Sequence, residues 1–275
     1  MDIALQALVI GIVQGLTEFL PISSSGHLII VPWLLGWTDP FIRSLTFSVM
    51  LHLGTLVALL VYFRRDWARL VPAGLAALRD RSFGVDPDRR LAWLIAATLP
   101  PAVVLGVLLG DFLDTQVRRP LLVAAMLVVG AAILWLADRL GRKTDGIEKL
   151  TFAAAFTIGC AQALALVPGI SRSGISIGAG LGLGLRREAA ARFSFLMATP
   201  IVAGAGIFEL RRLLAGEVAG DVSAAAVAVG FAAAALSGLV AIHVLLRFVR
   251  SHTLTAFVAY RLLLAAFVLV AFLAV

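Results

Sequence analysis

Cysteine is almost absent from this chain: Cys160 is the only one in 275 residues. That excludes an internal disulfide and any metal cluster held by several thiolates. Cys160 itself reads as a small apolar residue in a helix. Familiar enzyme signatures are missing too, with no Walker loop and no His-Glu-x-x-His pair. The N-terminus, Met1-Asp2, lacks the basic stretch of a cleavable leader, so the first apolar segment is expected to stay in the mature chain. Charge is scarce: 14% of residues are charged, 61% are apolar, and the mean hydropathy is +1.02. Soluble domains do not have that balance, so the bilayer is the solvent of this chain. A formal charge of +7 would ordinarily suggest a nucleic-acid partner. Here the basic residues gather in short connections between apolar runs, so they read as topology determinants and no nucleic acid is expected.

Six apolar runs have the length of membrane crossings: about Leu45 to Phe63, Leu91 to Gly110, Leu121 to Ala137, Phe193 to Leu210, Val222 to Leu246 and Thr255 to Val275. The basic connections are Arg64 to Arg90, Arg139 to Lys149, Arg186 to Arg192 and Arg247 to His252, and all four are expected on the cytoplasmic side. Both termini then lie outside. Arg118, Arg119, Arg211 and Arg212 fall on the outer side, where they would attract anionic headgroups.

Two polar segments do not fit as simple crossings. Around Pro21 and around Pro168 the chain places proline, glycine and several serines between apolar stretches too short to cross separately. Irregular backbone at membrane depth is tolerated only where protein or a polar cavity surrounds it, so each segment is expected to form a re-entrant hairpin. The first runs from Asp2 to about Trp37 and the second from about Leu150 to Leu185. The two are copies: Gly11 matches Gly159, Gln14 matches Gln162, Ile22 matches Ile170, Ser23 matches Ser171, Ser25 matches Ser173 and Gly26 matches Gly174, every pair 148 residues apart. The fold expected is therefore an all-α polytopic membrane protein, a single domain made of an inverted-topology repeat. Each half, about 1–148 and 149–275, holds one hairpin plus three crossings, so the hairpin tips can meet inside the membrane.

The copies differ where chemistry would differ: Glu18 stands opposite Leu166, Ser24 opposite Arg172 and His27 opposite Ile175. Gln14 and Glu18 are four apart and share a helix face. A glutamate inside a membrane segment is costly and marks an ion, proton or substrate site. Pro21 ends that helix, and the turn Ser23-Ser24-Ser25-Gly26 leads into the next, presenting free N–H groups and a positive dipole end that suit a phosphate. Ser24 and His27, three apart, are expected to converge on one group. Ser171, Arg172, Ser173 and Gly174 form the matching turn, and a guanidinium there demands an anionic partner, whether a phosphate or Glu18 itself. His52, in a crossing helix, reads as a packing or interhelical hydrogen-bonding residue. Asp111, Asp114, Asp145 and Glu148 read as solvated loop charge.

The runs Gln14-Gly-Leu-Thr-Glu18-Phe-Leu-Pro-Ile-Ser23-Ser-Ser-Gly-His27 and Pro168-Gly-Ile-Ser171-Arg172-Ser173-Gly174 resemble the signatures of the bacterial undecaprenyl pyrophosphate phosphatase family, also called bacitracin resistance proteins. The resemblance covers the whole chain in length and hydropathy. It implies removal of a phosphate from C55 isoprenoid pyrophosphate, giving the monophosphate carrier used for peptidoglycan precursors. It also implies a divalent cation, an inner-membrane location and a site reached from the periplasmic side. By position it makes Glu18 with Gln14 the metal-associated pair, Ser24 and His27 the catalytic pair, and Arg172 the phosphate-binding arginine. The family's first motif carries Glu or Gln where Gln14 stands here, and Gln is the weaker metal ligand.

The residues fit that chemistry in their own right, because phosphoryl transfer rests on positioning and charge neutralisation. Mg2+ or Ca2+ near Glu18, with Arg172, Ser23, Ser25, Gly26, Ser171, Ser173 and Gly174, would clamp the phosphates while Ser24 attacks and His27 takes its proton. His27 as nucleophile, or as the activator of a water, are the alternatives. The prenyl tail would lie between helices, beside small-residue runs such as Gly178 to Leu185. Expected partners are the polyprenyl pyrophosphate substrate, membrane lipids and a second copy of the chain in a homodimer. A transporter or flippase using the same site is the rival reading. An acid-phosphatase type of lipid phosphatase, suggested by Ser25-Gly26-His27, lacks its other motifs here.

Overall fold

The computed structural model describes residues 2–84, 86–117, 119–214 and 223–274, and these form helices with no β-strand among them. In chain order they are α1 (Ile3–Phe19), α2 (Ser24–Leu34), α3 (Leu45–Tyr62), α4 (Arg64–Asp80), α5 (Pro87–Ala97), α6 (Leu99–Gln116), α7 (Pro120–Leu140), α8 (Phe152–Ala163), α9 (Arg172–Gly182), α10 (Arg187–Leu214), α11 (Ala224–Phe248) and α12 (Thr255–Leu273). Six stretches are long and apolar enough to cross a membrane: Leu45–Tyr62, Pro87–Leu109, Pro120–Leu140, Arg187–Phe208, Ala224–Phe248 and Thr255–Leu273. They coincide with the six runs expected from the sequence, apart from Val222 and Val275, which lie outside the described residues. The chain is a multi-pass membrane protein.

The two motif segments contain shorter helices. α2 and α9 have 11 residues each, about 16 Å at 1.5 Å per residue, roughly half a hydrocarbon core. α1 is held in place by close backbone approach to α11. A Cβ on Gly11 would stand 2.4 Å from the Gly230 carbonyl oxygen, and one on Gly15 would stand 2.5 Å from that of Ala234. Two glycines one turn apart let the helix axes approach and fix the face of α1 that carries Gln14 and Glu18.

The connection from Arg64 to Arg90, expected as a basic loop, is mostly helical. Leu70 and Ala77 on α4 are buried, and the Trp93 indole of α5 donates to the Gly74 carbonyl at 3.2 Å. Asp86 caps α5 by accepting from the amides of Asp88 and Arg89, with Pro87 in its first turn. The four basic connections do lie at one end of the bundle, tied to each other by charge. Arg192 bonds Asp66 at 2.6 Å, Arg187 bonds Asp138 at 2.5 Å, Arg250 bonds Glu188 at 2.6 Å, and Arg90 donates to the Glu148 carbonyl at 2.9 Å. Arg119 and Arg211 are exposed near the opposite ends of α7 and α10 from Arg139 and Arg187. Arg118 lies outside the described residues. Asp111 and Asp114, expected in a loop, fall on the last turns of α6.

Candidate active site

Two turns of the same shape face each other in the middle of the bundle. Ser23 has a φ of 76° and Ser171 a φ of 74°, a left-handed conformation that costs a non-glycine residue energy and persists only where its surroundings fix it. Each is the cap of the helix that follows. The Ser23 hydroxyl accepts from the Gly26 amide at 3.3 Å, and the Ser171 hydroxyl accepts from the Gly174 amide at 3.1 Å. Ser25 lies 3.3 Å from Ser23 through their hydroxyls, and Ser173 lies 3.3 Å from Ser171. The turns also bind each other: the Gly169 amide donates to Ser23 Oγ at 3.2 Å and the Ser173 hydroxyl donates to the Leu20 carbonyl at 3.1 Å. The N-termini of α2 and α9 therefore sit side by side, with two positive dipole ends in one place.

A guanidinium that the motif reading did not include holds this junction. Arg261 of α12 is fully buried. It donates to the carbonyls of Gly169 at 2.8 Å, Ile170 at 3.0 Å, Leu127 at 3.2 Å and Pro21 at 3.4 Å. It thus joins both turns to α7. An arginine inside an apolar crossing run is itself the sequence signal that would have found it.

Glu18, buried at the end of α1, is where the polar side chains meet. The Gln14 amide donates to its Oε2 at 3.0 Å, and the Ser24 hydroxyl donates to the same oxygen at 2.5 Å. Arg172 Nη1 stands 3.5 Å from Oε1. His52 Nε2 is 3.3 Å from Oε2, while its Nδ1 donates to the Ser48 carbonyl at 2.7 Å. His52 is thus an interhelical bonding residue, as expected, but its partner is the site carboxylate.

His27 is placed differently from expectation. Its Nδ1 donates to the Ser23 carbonyl at 2.7 Å and its Nε2 meets the Tyr260 hydroxyl at 2.7 Å. Both ring nitrogens are engaged, and neither faces Ser24. The reason lies in their partners: the Ser24 hydroxyl is drawn to Glu18 of α1 and the His27 ring to Tyr260 of α12. Tyr260 carried no signal in the sequence beyond being a polar aromatic in a crossing run.

Beside Glu18 opens a cavity of about 270 Å³, lined by the polar side chains of Ser25, Ser48, His52 and Arg172 and by apolar ones including Leu28, Ile29, Leu45, Val49 and Val202. Cations, hydroxyls and helix N-termini on one side with an apolar wall on the other suit a ligand that is anionic at one end and greasy at the other.

Comparison with known proteins agrees with that chemistry. Residues 7–267 match the profile of the bacitracin resistance protein BacA family. An undecaprenyl-diphosphatase of Rubrobacter xylanophilus is 50% identical over 265 residues, covering 96% of each chain. One of Geobacter sulfurreducens is 47% identical over 271 residues, covering 98% of each, and one of Desulforudis audaxviator is 45% identical over 265 residues, covering 96% of each. With near-complete coverage by both the family profile and these relatives, this chain belongs to the BacA family.

Proposed function

We propose that this protein is an integral-membrane hydrolase that splits undecaprenyl pyrophosphate into undecaprenyl phosphate and inorganic phosphate, returning the lipid carrier to peptidoglycan synthesis and so conferring bacitracin resistance. The observation that carries the reading is the 2.5 Å bond from the Ser24 hydroxyl to Glu18, with Arg172 3.5 Å from the other carboxylate oxygen. A hydroxyl activated by a carboxylate beside a fixed guanidinium is what attack on a phosphate anion needs.

Ser24 is the nucleophile in this scheme. Its proton passes to Glu18, an oxygen–phosphorus bond forms at the terminal phosphate, and the bond to the prenyl phosphate breaks. Arg172 and the N–H groups at the heads of α2 and α9, around Ser25, Gly26, Ser173 and Gly174, face the negative charge of the phosphates. Water then attacks the phosphoserine, releasing phosphate and restoring the hydroxyl. His27 holds the Ser23 carbonyl and with it the position of Ser24, which moves the proton acceptor from His27 to Glu18. Ser23 and Ser171 keep the two turns in shape. The prenyl chain extends along the apolar wall of the cavity toward lipid.

A divalent cation, Mg2+ or Ca2+, fits one part of this site. Gln14 Oε1 is buried without a partner next to Glu18. Among the described residues no three His, Cys, Asp or Glu side chains are grouped to hold a metal, so the protein offers one carboxylate and one amide oxygen. That set suits a hard cation whose other ligands are phosphate oxygens. Held by Glu18 and Gln14, the ion would neutralise phosphate charge.

The matched turns, the 11-residue helices that start from both and their 148-residue offset support an inverted repeat of about 1–148 and 149–275 with two re-entrant hairpins in a single membrane domain. The arginine-rich end is assigned to the cytoplasm of the bacterial inner membrane, with the cavity open to the periplasm and a homodimer as the assembly.

The test is phosphate release from a C55 or C15 prenyl pyrophosphate by purified protein in detergent, with and without EDTA, beside Glu18→Ala and Arg172→Ala. Metal-dependent release lost in both variants is expected. Absence of release from well-folded wild-type protein would sink the reading.

A further inference from the structure

A second cavity, of about 570 Å³, lies at the arginine-rich end of the bundle. α10 connects the two: it lines this one with Arg187 and Arg192 and reaches the first at Val202, about 15 Å beyond Arg192 at 1.5 Å per residue. The wall carries five cations, Lys143, Arg186, Arg187, Arg192 and Arg250, against the carboxylates of Glu148 and Glu188.

Most of that charge is already paired. Arg187 is bonded to Asp138, Arg192 to Asp66 and Arg250 to Glu188. The Lys143 ammonium donates at 2.5 Å to the main-chain carbonyl of Asp138, an uncharged partner. Among the described residues the Arg186 guanidinium has no ion pair or side-chain hydrogen bond. Two cations, Arg186 and Lys143, thus stand uncompensated against one carboxylate, Glu148. The net of one positive charge matches a phosphodiester monoanion.

A separate feature sets the depth of this cavity in the membrane. α4 exposes Val71, Leu75 and Leu78, spaced four and three apart along one side of a helix that also exposes Arg65 and Arg69. That pattern belongs to a helix lying in the plane of the membrane–water interface. Asp66 of the same helix is bonded at 2.6 Å to Arg192 on the cavity wall, so the cavity mouth is at headgroup level, where basic pockets between membrane helices meet anionic lipid.

We propose that this cavity binds the headgroup of an anionic phospholipid, with Arg186 and Lys143 on the phosphodiester and Glu148 accepting from the headgroup hydroxyls. The site is separate from the hydrolytic centre and stands whatever reaction that centre performs.

The experiment is native mass spectrometry and thermal unfolding of the full-length protein in detergent, titrated with phosphatidylglycerol, phosphatidylethanolamine or inorganic phosphate. Wild type is compared with the double variant Arg186→Gln, Lys143→Gln and with the charge-preserving Arg186→Lys. Phosphatidylglycerol is expected to be retained and to raise the melting temperature more than phosphatidylethanolamine does. The double variant should weaken its binding about tenfold or more, Arg186→Lys should keep most of it, and neither should change prenyl pyrophosphate hydrolysis in detergent alone. Equal retention of the two lipids, or no difference between wild type and the double variant, would overturn the proposal. So would stabilisation by inorganic phosphate without any by phosphatidylglycerol, which would make the cavity a free-phosphate site.

Discussion

The hydroxyl of Tyr260 lies 2.7 Å from Nε2 of His27 across 233 residues of chain, and the two rings stack 5.7 Å apart within 10° of parallel. The Ser23 carbonyl accepts from Nδ1–H, which leaves Nε2 to accept from the tyrosine hydroxyl, and the pair fixes both the tautomer and the plane of the imidazole. Tyr260→Phe keeps the stack and removes the donor. Its kcat should fall about tenfold, close to the worth of one hydrogen bond in a transition state, with little change in KM or melting temperature. An unchanged kcat would show that the contact plays no part in catalysis.

Ser24→Ala and Glu18→Gln break the same bond from its two ends. Each should lower kcat by about a thousandfold or more, and the double variant should be little worse than either, because residues acting as one unit are not additive. Rapid-quench labelling with substrate carrying terminal 32P should trap phosphoserine at Ser24 in wild type and none in Ser24→Ala. Full labelling at another residue would transfer the nucleophile there.

His52 reaches Glu18 from α3 and lines the cavity, so its loss should matter less than that of Glu18 but should not be silent. His52→Ala is expected to lose about ten- to a hundredfold in kcat/KM. His52→Gln, which can still donate to the carboxylate, should recover most of it. If glutamine and alanine behave alike, the contact serves packing only.

Arg261→Met strips four carbonyls of their donor in a buried junction. The cost should be about 3 kcal/mol or more, from unsatisfied acceptors and the cavity left behind. It should read out as a lower melting temperature in detergent, together with loss of activity. Arg261→Lys, with a single point of donation, should recover only part of the stability.

Gly15→Val puts a branched side chain where even a Cβ would stand 2.0 Å from Ser237 Oγ and 2.5 Å from the Ala234 carbonyl. α1 must then part from α11, carrying Gln14 and Glu18 with it. Activity should vanish and the melting temperature should drop. The same change at Gly182, which has open space around it, should be tolerated far better.

What could be read directly from the sequence was whatever the bilayer or the local chain dictates. Length and apolarity mark the six crossings, because a segment in hydrocarbon must satisfy its own backbone and hide its charge. The clustering of Lys and Arg marks the four connections that share one end. The prolines at 21 and 168 and the repeated serine turns follow from local rules, and an intramembrane Glu18 and Arg172 single out the site by their cost alone. The helix in the basic connection was concealed by its charge, since an amphipathic helix at an interface is neither a crossing nor a loop.

Only the tertiary structure decided who meets whom. Spacing of three put Ser24 near His27 along the chain, yet partners on other helices take one to Glu18 and the other to Tyr260. Arg261 and His52 stand out in crossing helices by residue type, but their partners were defined only when α12 and α3 carried them to the turns and to the carboxylate. Those partners lie tens to hundreds of residues away, and no local preference encodes them. They are selected by the packing of the whole bundle, in which most buried donors find an acceptor.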